Sequence, residues 1–263
     1  MILTDSNYYS AKANSEFMSV SQYKQFRKCE ASAMAQLKGE WTQPSTTALL
    51  VGSYVDSYFE GTLSEFRDSH PDIFKRDGSL KADYVQAEEI IKRIESDPLF
   101  VHYMSGEKQK IFTSPLFGTN WKIKIDSLHP AEMIVDLKIM RSMDRVMGKS
   151  FVEHWGYDLQ MAVYAAVYKA TTGHDVETYL AVATKETPTN LEIIHIPLWR
   201  REELLEEISE HLPRMIAVKS GNAEPERCGV CEYCRATKVL TEPVDFEMVG
   251  LTNAERKAVL GQF

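Results

Sequence analysis

The chain has 263 residues, 44% of them hydrophobic and 26% charged, with a formal net charge of −8. This length supports one sizeable domain or a domain with an appended subdomain, and the composition excludes a disordered or membrane-embedded chain. The opening MILTDSNYYSAKANSEF lacks the basic start and apolar core of a secretory signal, no apolar run would span a bilayer, and the cytoplasm is the expected compartment. The acidic total argues against a protein that coats nucleic acid. Residues 101–150, however, hold eight Lys and Arg against five Asp and Glu, a local +3 that leaves −11 elsewhere and permits a guided polyanion.

In chain order, Ser19 to Ser21 supply a cap for a helix in which Tyr23 and Phe26 share a face and which Gly39 stops. TTALLVGSYVDSYFE (46–60) reads as a second, largely buried helix, and 81–97 as a third that Asp97-Pro98 closes. KQKIFTSPLFG, NWKIKIDSLHP and EMIVDLKIM then alternate with period two between turns at Gly118-Thr119-Asn120 and His129-Pro130-Ala131, as an antiparallel meander does. A helix over 152–172 ending at Gly173, two strands (ETYLAVAT and NLEIIHIPL) and a charged helix complete the core. The order predicts an α/β fold with a mixed central β-sheet flanked by helices and an N-terminal helical part. We expect one domain over 1–237, divided into a helical part (1–105), a sheet core (106–218) and a cysteine-containing segment (219–237), with a tail over 238–263. In the tail, LTNAERKAVL reads as a short capped helix free to pack in cis, on a neighbouring subunit or on a partner.

Asp136 and Lys138 project to one face of their strand, and Asp126, ten residues earlier, lies on the preceding strand across a short turn. Two converging carboxylates repel unless a cation lies between them, and such oxygen ligands suit Mg²⁺ or Mn²⁺. A lysine beside that cation could orient a water for attack on a phosphodiester. Taken alone, the Asp-x-Lys string fits equally well a solvated face with a cross-strand ion pair. Gln160 and Tyr164, four apart on the following helix, share a face that could reach the same cavity.

Asp126, Asp136-Leu137-Lys138 and Gln160-x-x-x-Tyr164, in that order, resemble the PD-(D/E)XK restriction-endonuclease-like core in its RecB-like form. SVSQYKQFRKC resembles the opening of such domains, and AVATKETP (181–188) is similar to a strand of RecE-type phage exonucleases. The resemblance implies a Mg²⁺-dependent enzyme that degrades one strand of linear double-stranded DNA from an end, 5′ to 3′. It also implies a ring-shaped homo-oligomer, a RecT-like single-strand annealing partner and a bacterial host of phage or prophage. By the same resemblance Asp126 and Asp136 hold metal, and Asp56, where the family carries a His, completes the set. Lys138 positions the water, Gln160 and Tyr164 support the site, and Arg141, Ser142 and Lys185 are candidate phosphate contacts. An endonuclease of the same fold and an inactive DNA-binding scaffold are the alternatives.

Cys29 and the run Cys228-x-x-Cys231-x-x-Cys234 are all the cysteines. In a cytoplasmic chain, close spacing of this kind signals metal rather than disulfides. The arrangement resembles the iron–sulfur staple of some RecB-like nucleases, and zinc accepts the same four thiolates. No nucleotide-binding loop and no H-E-x-x-H string occurs, so neither ATP hydrolysis nor a zinc hydrolase is expected.

Overall fold

A computed structural model describes residues 1–42 and 46–260. Its helices are α1 (Ala11–Glu16), α2 (Val20–Lys28), α3 (Glu30–Leu37), α4 (Thr47–Glu60), α5 (Leu63–Ser69), α6 (Ala82–Glu95) and α7 (Pro98–Tyr103), followed by strands β1 (Glu107–Leu116), β2 (Thr119–His129) and β3 (Met133–Met140). Then come α8 (Phe151–Trp155), α9 (Tyr157–Thr172), β4 (Glu177–Thr184), β5 (Leu191–His195), α10 (Leu198–Lys219), α11 (Glu232–Ala236) and α12 (Asn253–Leu260). No helix among the described residues is long and apolar enough to cross a membrane.

The residues group into two compact units, one of Met1–Gln43, Pro115–Trp121 and Glu207–Phe263, the other of Pro44–Ser114 and Lys122–Glu206. In the first unit the chain ends are joined: Arg214 pairs with Glu30 at 2.8 Å, and the Ala31 N–H donates to the Glu226 carbonyl at 3.0 Å. The tail is joined as well, since the Asn253 N–H donates to the Cys228 carbonyl at 2.8 Å; α12 packs in cis, and the last three residues of the tail lie outside the described residues.

Two expected helices are interrupted. Ser19 caps α2 by accepting from the Gln22 N–H, but the run stops at Cys29, whose extended backbone (φ −168°, ψ 108°) separates α2 from α3. Gly156, at φ 63°, separates α8 from α9 and leaves α9 to begin at Tyr157.

The second unit is built on the sheet, whose strands lie in chain order. Strand β2 pairs antiparallel with β3, β4 joins β3 in parallel after the crossover through α8 and α9, and β5 returns antiparallel. Val135 and Leu137 of β3, with Ala181 and Ala183 of β4, pack under Tyr54 and Val55 of α4 and Ile90, Ile91 and Ile94 of α6. Alternation sends Asp136 and Lys138 to the opposite face of β3. A hydrogen-bonded set holds α4 in place: the buried Tyr54 hydroxyl donates to Glu88 and accepts from Arg67, and Arg67 Nη2 donates to Glu88 Oε1 at 2.7 Å.

Gly106 lies at the start of β1, with its N–H donating to Ser127 Oγ at 2.9 Å. A Cβ there would lie 2.5 Å from the Leu128 carbonyl oxygen and 2.8 Å from Ser127 Oγ, too close for any side chain without backbone movement. Gly106→Ala is expected to destabilise the protein by about 2 kcal/mol. Urea unfolding should show a lower midpoint at unchanged slope.

Candidate functional site

The ladder between β2 and β3 covers His129↔Met133, Leu128↔Ile134 and Ser127↔Val135. Beyond it the Asp126 carboxylate enters the sheet, and Oδ2 accepts the backbone N–H of Leu137 at 3.0 Å. Asp126 Oδ1 accepts from the Gln109 amide at 3.3 Å, and Gln109 itself has a left-handed backbone (φ 53°) within β1. The strands therefore part where Asp126 and Asp136 face each other. Into that opening α4 brings Asp56, and one turn later Glu60; Asp56, Glu60, Gln109, Asp126 and Leu137 line one small cavity.

Asp136 is 2% exposed. Its Oδ1 accepts the Gln160 amide at 2.6 Å, and its Oδ2 meets the Lys138 ammonium in an ion pair. The start of α9, which carries Gln160, is fixed by Arg200, whose guanidinium reaches the buried Asp158 carboxylate at 2.8 Å. The Lys138 ammonium lies 5.0 Å from the centre of the Tyr157 ring, and the Tyr157 hydroxyl donates to the Met140 sulfur at 3.2 Å.

The electrostatics follow from crowding acids in a dry cleft. Burial, then the facing Asp136, pushes the Asp126 carboxyl up to about 7, and burial, then Asp126, raises Asp56 well above the carboxylate range. Burial works against the charge on Lys138, but Asp136 and Asp126 outweigh it, so its pKa rises above that of an ordinary lysine. Asp56 Oδ1 is shielded from solvent and has no hydrogen-bond partner, whereas the equally shielded Asp136 Oδ2 is met by the Lys138 ammonium. An orphaned carboxyl oxygen in a pocket of acids is suited to a hard divalent cation. The oxygens of Asp56, Asp126 and Asp136 do not all lie within 4.8 Å of one another; among the described residues only the four cysteines form such a closed group.

The structure thus brings Asp56, Asp126, Asp136, Lys138 and Gln160 together. Tyr164 lies one turn further along α9. Tyr157, one turn before Gln160 and absent from the sequence reading, is the aromatic that meets Lys138. Glu60 and Gln109 were also missed; the i, i+4 relation of Asp56 to Glu60 was the available signal for the former. Arg141 is exposed just past β3, Ser142 donates to Asp144 at 2.8 Å, and Lys185 donates to the Ala48 carbonyl at 2.6 Å, tying its ammonium to the start of α4.

In the first unit the four cysteine sulfurs all lie within 4.8 Å of one another, with Cys29–Cys234 at 3.6 Å and Cys228–Cys234 at 3.9 Å. Backbone N–H groups of Cys228, Cys231 and Cys234 point at the sulfurs of Cys29, Cys228 and Cys231 at 3.3–3.4 Å. Burial raises the Cys29 thiol and pushes Cys231 up to about 12; at Cys228 burial is outweighed by the Val230 and Cys231 N–H groups and the pKa falls to about 7. Without a cation, the knot disfavours ionisation of Cys29 and Cys231 and favours it at Cys228. A tetrahedral ion with bonds of about 2.3 Å sets sulfurs roughly 3.8 Å apart, close to the Cys29–Cys234 and Cys228–Cys234 separations.

The sheet, the parted strands and the Asp126, Asp136, Lys138 and Gln160 set define a PD-(D/E)XK-type nuclease fold. The family model described as "PDDEXK-like domain of unknown function (DUF3799)" matches residues 19–237, and the chain belongs to that family. A crystal structure of a protein from Eubacterium rectale, provisionally described as an exonuclease, is 46% identical, with 95% of this chain and 99% of that one covered at a TM-score of 0.91. The crystal structure of SSO0001, at 15% identity over 73% of this chain and 83% of that one, has a TM-score of 0.28 and is too remote to bear on the fold. No curated protein matches the chain.

Asp126 carries a pH prediction for the metal-free protein. Its folded-state pKa of about 7 lies above the ordinary 3.8, so the folded state binds more protons in between, and stability falls as pH rises through that window. Asp126→Asn removes the loss. It should stabilise the metal-free protein by about 2 kcal/mol at pH 8 and by less at pH 5, after discounting for partial exposure. Melting temperatures in chelator at the two pH values test this; an equal shift at both would contradict it.

Proposed function

We propose that the chain is a metal-dependent exodeoxyribonuclease that degrades one strand of linear double-stranded DNA, 5′ to 3′, to expose single strands for a RecT-like annealing protein. In this reading it acts as a ring of identical copies in the cytoplasm of a bacterium hosting the phage or prophage. The observation that supports the catalytic part is Asp136, buried and ion-paired through Oδ2 with Lys138 beside the opening that Asp126 makes in the sheet. The Eubacterium rectale relative, provisionally described as an exonuclease, supports action at ends. Polarity, ring and annealing partner rest on the RecE-type resemblance.

Asp56, Asp126 and Asp136 would hold Mg²⁺ or Mn²⁺, with Glu60 beside them. When bound, such an ion neutralises charge on the scissile phosphate and on the leaving oxygen. Gln160 fixes Asp136 through Oδ1, which aims Oδ2 at Lys138. Lys138, held in its charged form, donates to a water or a phosphoryl oxygen and so orients the attack. The Tyr157 ring restricts the side chain of Lys138 to this direction. Tyr164 would support the site from the same helix, and Arg141 and Ser142 would meet phosphate at the end of β3, whereas Lys185 serves α4 instead.

In degradation of end-labelled linear duplex with closed-circular duplex alongside, Mg²⁺ should drive loss of the linear DNA alone. EDTA should stop it, and Asp136→Ala should reduce the rate by at least a thousandfold, roughly 4 kcal/mol of transition-state stabilisation. Nicking of the circle would favour an endonuclease.

The four cysteines, in this proposal, hold one zinc ion and not a cluster, since a cluster places iron and sulfide between the thiolates and sets them farther apart. Purified protein should contain about one zinc per chain by elemental analysis, and Cys234→Ser should lower both zinc content and melting temperature. Stoichiometric iron with acid-labile sulfide would reverse the assignment.

A further inference from the structure

The stretch between β3 and α9 is pinned at both ends beside the site, because the Tyr157 hydroxyl donates to the Met140 sulfur at 3.2 Å. Between those anchors, residues 141–156 form a loop that begins at the rim of the Lys138 pocket and returns to it. Its centre is a tight reversal. Val146 and Lys149 exchange both backbone hydrogen bonds, at 3.0 and 3.1 Å, and the two residues between them, Met147 and Gly148, have φ of 49° and 80°. Positive φ at both central positions is the pattern of a type I′ hairpin turn, in which Asn-Gly is the favoured pair. The turn is braced: Arg145 donates from Nε and Nη2 to the Gly148 carbonyl at 3.1 and 2.6 Å. The Ser150–Glu153 capping box then starts α8, which ends on the half-exposed Trp155.

Met147 stands out by its exposure: Gln109, Phe117 and Ala131 share its positive φ, and Phe117-Gly118 repeats its turn pattern, but Phe117 is only 39% exposed. A large unbranched side chain occupies a left-handed position that Asn or Gly would fill without strain, and it is 91% exposed. The turn thus holds an apolar tip out to solvent, with Arg145 and Lys149 exposed two residues to either side in sequence and Arg141 exposed at the start of the loop. Apolar side chains, Met among them, inserted between base steps partly unstack them, and cations hold the adjoining phosphates; at a duplex end the same insertion would part the terminal pair. An enzyme that cuts one strand from a blunt end must first part that strand from its complement.

We propose that the 145–149 turn is a strand-separating wedge, in which Met147 enters the terminal base step of a duplex while Arg141 and Lys149 hold the flanking phosphates and direct one strand to Asp136 and Lys138. This deepens the exodeoxyribonuclease reading and rests on it for the choice of DNA ends as the occupant.

Met147→Asn is the discriminating variant, since it supplies the residue the turn prefers and removes only the apolar tip. Its melting temperature should equal or exceed that of the wild type. Full-length protein in EDTA is mixed with a blunt duplex carrying 2-aminopurine at its terminal pair, so that nothing is cut. Wild-type protein should brighten the probe severalfold on binding, and Met147→Asn should bind with affinity within about twofold and leave the probe dark. With Mg²⁺, the variant should degrade blunt duplex at least fivefold more slowly and a duplex with pre-frayed ends at the wild-type rate. Equal brightening by both proteins, no brightening by the wild type, or equal losses on blunt and frayed ends would each overturn the wedge. Wild-type protein that brightens the probe but never degrades DNA with Mg²⁺ would refute the nuclease reading and leave the wedge in place.

Discussion

The site depends on one constraint: Asp126 and Asp136 are held face to face in a cleft too dry to screen them. Asp126 reaches this position by displacing a backbone partner, taking the Leu137 N–H that a continued β2–β3 ladder would have used. The carboxylate is therefore part of the sheet, and the opening in the sheet is part of the site. Lys138 answers one of the negative charges, while burial first and the neighbouring carboxylates second still raise Asp126 and Asp56. Such an arrangement persists only because its supports cannot relax: Tyr54, Arg67 and Glu88 hold α4, and the Asp158–Arg200 pair holds α9. Strain of this kind, maintained by packing elsewhere, marks a place where charge is meant to arrive.

The cysteine knot obeys the same rule with softer atoms. Four sulfurs lie within 4.8 Å, burial raises the pKa of Cys29 and Cys231, and a cation would ionise the four together. The two centres differ in closure. The knot offers four ligands drawn together with no open position, as structural zinc sites do, whereas Asp56, Glu60 and Asp126 line a small cavity no larger than a water needs. Closure separates the structural role from the chemical one without reference to residue type.

What the sequence revealed, and what it hid, divides along local and long-range causes. Period-two alternation exposed the meander, and with it the shared face of Asp136 and Lys138, because strand geometry is a property of neighbouring residues. The break at Cys29 was hidden because its causes lie far along the chain, in the Glu226 carbonyl that takes the Ala31 N–H and in the Cys228 N–H that points at its sulfur. Tyr157 was missed for a related reason. A helix running unbroken from 152 places Tyr164 beside Gln160 and says nothing of Tyr157; only the left-handed Gly156 ends α8 and makes Tyr157 the first residue of a new helix facing Lys138. The two-unit arrangement was likewise illegible, since it depends on pairs such as Glu30 with Arg214.

Charge distribution narrows how such a chain can engage a polyanion. With −8 overall, long-range attraction is weak, and the excess positive charge of residues 101–150 must act at close range. Part of that charge is already committed: Lys138 to Asp136, Lys110 to Glu107 at 2.8 Å, and Arg145 to the Gly148 carbonyl. Outside that region, Lys185 is likewise tied to α4. Arg141 and Lys149 remain exposed on the loop that rises beside the site. Under the proposed wedge reading, so few free cations would leave placement of a duplex end to shape more than to phosphate neutralisation.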